Sequence, residues 1–387
     1  MRQAAQAHGN LFEGGPPLRL QRRLGVIPQG PAHIGRRAWL TVLLTWAPLL
    51  LLTAVQAALG KPGLAKAFLC DLSVHARLLV AAPLLVIADG FCARRLEAIA
   101  LHFLDAGLVR DEQVPRYREL LASTARLRDS PLAEFIVIAS SYFLMALTLL
   151  NATNAQLPDW YRTDSGLSWA IWWYGLVSLP LVLTLLLGWA WRLVLWTRLL
   201  AGIARLDLRL IPVHPDRAAG LRFVGYSLRA FSILAFAIGA MSAGAVANGV
   251  VFGGLPLSHF AHTIIGIALL AVVIFCGPLL LLLPTLAREW RRGIFQYGEL
   301  ADRFGREFER KWFDGRGMDQ GVLEMQDFSA ATDTYQTVGN VYEMRLMPFE
   351  LKSVALLVAA TLLPYLPVVL LAIPIDTLMS MAANLLM

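Results

Sequence analysis

An all-α, polytopic membrane protein is what this sequence predicts, with about seven transmembrane helices and a helical hairpin standing in the cytoplasm. Three observations carry that reading. Charged residues make up only 16% of the 387 and hydrophobic ones 57%, whereas about a quarter of a soluble domain is charged. Several apolar runs reach the roughly 20 residues a helix needs to cross a bilayer core. One long polar stretch, residues 285–349, lies between the last two runs and keeps a helical period throughout.

That polar stretch organises the chain. In its first half Leu286, Trp290, Ile294, Tyr297, Ala301, Phe304, Phe308 and Trp312 recur every three or four residues. In its second half Phe328, Ala331, Tyr335, Val338, Tyr342, Leu346 and Phe349 do the same. Each set makes one apolar stripe on a helix. Gly315, Gly317 and Gly321 fall where a reversal needs glycine. The expectation is a hairpin over 287–352 whose stripes face each other, a neighbouring loop or another subunit. Phe304, Phe308, Tyr335, Val338 and Tyr342 are its candidate contacts with a partner or a second copy.

In chain order, 1–37 is rich in Gly, Pro, Gln and Arg with little periodicity and reads as a loose arm. Residues 38–286 hold the first six spans, near 38–60, 74–91, 131–152, 167–197, 228–251 and 263–286, with polar connections at 95–129 and 198–227. Ser130-Pro131 followed by Glu134 marks the start of the third span. In 95–129, Leu96, Ile99, Phe103, Leu104 and Leu108 share one face, expected to lie on the membrane or the hairpin. Tryptophans crowd both ends of the fourth span and are expected at the two water–lipid interfaces. Residues 353–387 hold the seventh span and a short amphipathic tail.

Orientation follows from the basic residues. Of the 34, only Lys61, Lys66, Arg77 and Arg162 fall on one side of this topology. The arginine-rich side, with the amino terminus and the hairpin, is therefore cytoplasmic. The same asymmetry accounts for the net charge of +7 without nucleic acid. Arginine far outnumbers lysine, as in GC-rich bacterial genomes, which points to a bacterial inner membrane. Cys70, Cys92 and Cys276 are far apart and odd in number, so they read as membrane-core packing.

Two regions offer candidate sites. The fifth span, AFAIGAMSAGAVANG, carries one small-residue row at Gly239, Ala243 and Ala247 and another at Ala240, Gly244 and Asn248. Such rows let helices approach closely; they can also line a narrow pathway, with Ser242 and Asn248 as its polar points. The second region is the connection before that span. There His214 and Asp216 flank Pro215, Asp216 can cap a helix beginning at Arg217, and Arg205, Arg209 and Arg222 lie nearby. A helix start ringed by arginines favours an anion or a lipid headgroup at His214, Asp216, Arg217 and Arg222; a simple capped turn is the competing reading.

Other chemistry is thinner. Asp71, Arg77, Asp89, Glu134 and Asp376 lie near span ends, where capping or snorkelling accounts for them. Pro180, Pro278, Pro284, Pro364 and Pro367 can bend the fourth, sixth and seventh spans. Nucleophile-elbow, zinc-protease and phosphate-loop motifs are missing. His259 and His262 lack a third ligand, so no metal, cofactor or catalytic residue is assigned.

The segments RLDLRLIPVHPDRAAGL, WWYGLVSLPLVLTLLLGWAWRLVLW and MQDFSAATDTYQTVGNVYEMRLMPF resemble a family of bacterial multi-pass membrane proteins without a characterised activity. The likeness covers roughly the second half of the chain, and an HPDRAGGL-like loop is its most specific part. This chain departs from it at Ala219, where glycine is expected, and at Arg222. The resemblance implies a fold and no activity. The functional expectation is a homo-oligomeric inner-membrane channel or channel-like transporter, with 228–251 lining or supporting the pathway. The alternative is a non-transporting scaffold or sensor that docks a cytoplasmic protein through 287–352. A weaker third reading is a lipid-handling enzyme using His214 and Asp216. Membrane lipid and a second copy are the expected partners.

Overall fold

The computed structural model describes residues 11, 12, 14–16, 34–61, 63–152, 158–163, 166–313 and 326–372. The chain is an all-α polytopic membrane protein. Among the described residues, seven helices are long and apolar enough to cross a membrane. In order they are α1 (Ile34–Ala58), α3 (Leu72–Asp105), α5 (Pro131–Ala152), α6 (Trp169–Ile203), α7 (Arg222–Val251), α8 (Leu257–Lys311) and α10 (Leu351–Ala372). Three further helices join them: α2 (Gly63–Cys70), α4 (Val114–Arg128) and α9 (Gln326–Tyr342). Among the described residues, strand is confined to one small pair, β1 (Arg162–Thr163) with β2 (Gly166–Leu167).

The spans depart from α geometry beside prolines. Wider π turns occupy Ala76–Ala81 just ahead of Pro83 and Tyr174–Ser178 just ahead of Pro180. Tighter 3-10 turns occupy Gly277–Leu282, which contains Pro278, and Leu363–Tyr365, which contains Pro364. Proline lacks an amide donor and its ring crowds the carbonyl four residues back, so the helix changes pitch where the sequence places it.

Helix α7 is the axis of the bundle. In its apolar stretch 61% of the residues are buried, against 17% for α5, whose Phe135, Ile136 and Phe143 face outward. The two small-residue rows of α7 have different neighbours. At Gly239 a Cβ would fall on the Thr361 carbonyl of α10, and Ala243 and Ala247 join Tyr365 and Val368 in one buried cluster. At Gly244 a Cβ would come within 2.5 Å of Ala76 and 3.0 Å of the Leu72 carbonyl, both on α3. Small residues set the closeness of both contacts.

Two expectations of the sequence are corrected here. Trp189 and Trp196 on α6 are not interfacial. Trp189 donates its indole N–H to the Leu85 carbonyl at 2.9 Å, and Trp196 is fully buried with Phe12 edge-on at 5.7 Å. For Trp189 the carbonyl satisfies the buried indole N–H. Leu96, Ile99, Phe103 and Leu108 do not lie on the membrane or the hairpin. They sit in the main core, where Phe103 meets Tyr117 of α4 and Phe223 at the start of α7. The arm also has anchored residues. Leu11 and Phe12 are buried in that core, and Arg192 donates to the Gly14 carbonyl at 2.9 Å.

The hairpin forms as its stripes predict. Helix α8 runs unbroken out of the membrane as a 30-residue segment from Leu283 to Trp312, and α9 packs back along it. The Tyr342 hydroxyl lies over Gly298 and the Tyr335 hydroxyl over Gly305. A seven-residue step up one helix meets a seven-residue step down the other, the register of an antiparallel pair. Val338 is buried, while Phe304 and Phe308 are half-buried. Helix α9 does not run straight into the last span; an irregular link, residues 343–350, separates them. Gly315, Gly317, Gly321, the Phe328 side chain and Asp376 lie outside the described residues.

Candidate functional site

The connection between α6 and α7 is built around one carboxylate. Pro212 and Pro215 prevent the chain from continuing as helix, and it turns with left-handed backbone at Arg217 (φ 56°), Ala219 (φ 53°) and Gly220 (φ 91°). Asp216 makes this turn possible. Its Oδ1 accepts the amides of Ala218 at 2.8 Å and Gly220 at 3.0 Å, and its Oδ2 accepts the amide of Arg222 at 3.1 Å. No helix begins at Arg217, contrary to the sequence reading. Asp216 instead closes a six-residue loop and caps the helical turn that starts at Arg222. Ala219 holds the left-handed geometry at the position where the family resemblance expects glycine, and its methyl is fully buried.

The electrostatics follow. Burial by itself raises the Asp216 carboxyl, but the three amides, with His214, outweigh it and hold its pKa below the ordinary value. His214 Nδ1 lies 2.8 Å from Asp216 Oδ1 and 3.2 Å from the Asp216 amide. One ring nitrogen cannot donate and accept at once, and the shorter contact assigns the proton to Nδ1. Both carboxylate oxygens are thus occupied by donors of the loop itself.

The loop clamps the hairpin to the bundle. Arg222 donates from Nε and Nη2 to Glu350 at 2.8 Å and from Nη1 to the Asp216 carbonyl at 3.1 Å. Arg217 pairs with Glu343 at 2.9 Å, and its carbonyl accepts the Arg345 amide at 2.6 Å. Gly225 touches the backbone of Pro348 and Phe349, while Gly293 of α8 lies against Pro212 and Val341. On its other flank the Arg209 amide donates to the Leu108 carbonyl at 2.7 Å. Three connections therefore meet on these few residues. On the open flank lies a cleft of about 430 Å³, lined by His102, Arg209, His214, Arg222, Phe223 and Tyr226 among others.

The fifth-span candidates fare differently. Gly239, Ala243, Gly244 and Ala247 are covered by α10 and α3 in a single chain. Ser242 faces the buried Tyr365 hydroxyl. Asn248 donates to Asp71 Oδ1 at 2.8 Å and accepts the Leu72 amide at 2.8 Å. Asp71 also accepts the Trp160 indole N–H at 2.8 Å and the Val74 amide at 3.2 Å. Arg77 reaches Tyr174 and Ser73 in the same region. Asp71 is therefore the junction of three segments, and Asn248 ties α7 to it.

Sequence reasoning passes over one charged group. Arg192, inside the apolar run of α6, pairs with Asp89 Oδ1 at 3.0 Å, while Arg37 takes Asp89 Oδ2 at 3.1 Å. The cation also lies 4.7 Å from the Trp189 ring. The signal was an arginine between tryptophans in an apolar run, but its partner on α3 leaves no mark at that position. Asp89 is thus held in a buried ionic triad and does not snorkel. No protein family, no curated protein and no solved structure matches this chain.

Proposed function

We propose that the chain is a non-transporting scaffold or sensor of a bacterial inner membrane, with its hairpin and amino terminus in the cytoplasm. In this reading a cytoplasmic protein docks on the hairpin, and its occupancy passes to the membrane helices through the Asp216 loop. The observation that carries it is the clamp: the loop touches the hairpin base at Gly293, the 343–350 link, and the start of α7. The hairpin also turns aromatic surface outward. Phe295 is 78% exposed, and Tyr335 and Tyr342 are more than half exposed. In a water-facing position such surface marks a docking face.

A photo-crosslinker at Phe295 in living cells tests this directly. One adduct of defined mass, lost when Leu300→Asp is added, supports a protein partner. Adducts at multiples of the chain mass would place a second copy there instead, and no adduct at all would sink the reading. The crosslinker is preferable to Tyr335→Asp or Tyr342→Asp, because both hydroxyls rest on α8 and their loss also loosens the hairpin.

A channel-like homo-oligomer is kept as a second reading on one observation, the lipid-facing α5 with exposed Phe135, Ile136 and Phe143, a face available for contact between copies. Ion flux through purified protein in liposomes separates the two readings. Gly244→Trp is a poor pathway test, since even a Cβ meets α3 there.

A further inference from the structure

We propose that the cleft between the end of α3 and the loop ahead of α7 binds the phosphate group of a small molecule or lipid headgroup. Its size falls within the range of small-molecule sites. The cations around the loop have separate duties. Arg217 and Arg222 are committed to Glu343 and Glu350 at 2.9 and 2.8 Å. Arg209 also lines the cleft, but its nearest carboxylate, Asp111, stands 3.8 Å off and almost fully exposed. A guanidinium in that state is available for two-pronged capture of an oxyanion.

The other donors come from opposite walls. His102, at the end of α3, leans edge-on against Phe223 at 4.4 Å, and His214 enters from the loop, its Nε2 donating to an anion when the ring carries both protons. The acid within the cleft, Asp216, does not cancel them, because its oxygens are turned into three backbone amides and His214. One guanidinium and two imidazoles converging from two segments suit an anionic oxygen group. Half-exposed Ile211 and Tyr226 complete the rim with apolar surface at the end of a membrane helix, the level at which lipid phosphates lie. The cleft shares Arg222 with the hairpin clamp, so a ligand there would sit beside the Arg222–Glu350 pair. The proposal rests on the cleft and stands whether or not the hairpin takes a partner.

The test measures the thermal shift of purified protein in neutral detergent. The probes are dihexanoyl phosphatidic acid, dihexanoyl phosphatidylcholine, glycerol phosphate and inorganic phosphate. Phosphatidic acid is expected to stabilise the wild type, with an apparent affinity about tenfold weaker in Arg209→Gln, the loss of one charge-assisted contact. Arg217→Gln, whose side chain faces the hairpin link, is expected to bind like the wild type. A shift from phosphatidic acid but from neither soluble phosphate identifies a lipid headgroup. A comparable shift from glycerol phosphate or inorganic phosphate identifies a soluble phosphate compound, and either result supports the site. A shift from phosphatidylcholine as well, lost in Arg209→Gln, shows that a phosphodiester suffices and also supports the site; no shift with any phosphate probe, or equal shifts in Arg209→Gln, overturns it. The Arg209 side chain is more than half exposed and its ion pair with Asp111 is long and exposed, and Arg209→Lys, expected to bind at intermediate strength, guards against a folding defect.

Discussion

Helix α7 is held at each end by one aspartate, and the two work differently. At the carboxyl end Asp71 collects Trp160, Asn248 and Val74, the first two being 89 and 177 residues away in sequence. At the amino end all the amides that Asp216 accepts lie within six residues of it. Asp71 joins segments that lie far apart in the chain. Asp216 shapes a loop, and it is the loop's arginines that reach across to Glu343 and Glu350. A tertiary hub governs whether the bundle holds together; a local organiser governs how stiffly one part moves with another. Network bonds of the first kind are cooperative and costly to break.

Asp71→Ala gives the largest expected effect. It strands the Trp160 and Asn248 donors in a buried site, at about 1–3 kcal/mol for each unsatisfied group. Thermal unfolding followed by tryptophan fluorescence should show a large drop in midpoint. Asn248→Ala removes one donor and one acceptor from the same hub and should cost about 2 kcal/mol by the same assay. Asp216→Asn should cost about 1–2 kcal/mol, but its signature is local. Hydrogen exchange should quicken at Ala218, Gly220, Arg222 and Arg345 while the global midpoint moves little. If Asp216→Asn lowers the midpoint as far as Asp71→Ala, the contrast between hub and organiser is wrong.

Acid sharpens the contrast. The Asp216 pKa is depressed in the folded chain, so its contribution is full above its unfolded value and fades as pH falls through its folded one. Exchange at the loop amides of the wild type should therefore rise on acidification below the ordinary carboxylate range, and Asp216→Asn should flatten that rise. Ala219→Gly is the smallest effect. Relief of a left-handed alanine, partly offset by a looser unfolded chain, should stabilise by about 0.5–1 kcal/mol, read as slower exchange in the same amides.

The contrast also explains what was legible in the sequence. The spans, the helical stripes of the hairpin and the two rows on α7 could be read because periodicity reports which residues share a face. A turn at the HPD tripeptide could be read because its chemistry is local, but the helix start expected at Arg217 falls at Arg222. Periodicity names no neighbour, however. It did not show that the rows of α7 would meet α10 and α3, that Asn248 would bond to Asp71, or that Arg192 would find Asp89. Trp196 carried the composition of an interfacial ring and was drawn inside by Phe12, from an arm with no pattern of its own. The left-handed Ala219 was hidden for the opposite reason: a residue that ordinarily avoids that geometry is held there by its neighbours.

The unbroken run of α8 has a mechanical consequence. Its 30 residues beyond the Gly277–Leu282 turn make a rod about 45 Å long. Such a rod is a lever with its fulcrum at a proline-weakened turn inside the membrane. A tilt of about 5° there sweeps the far tip through about 4 Å, on the order of one side chain's width. Small rearrangements among the spans are thereby magnified at the tip, and a load at the tip arrives at the fulcrum with its force multiplied.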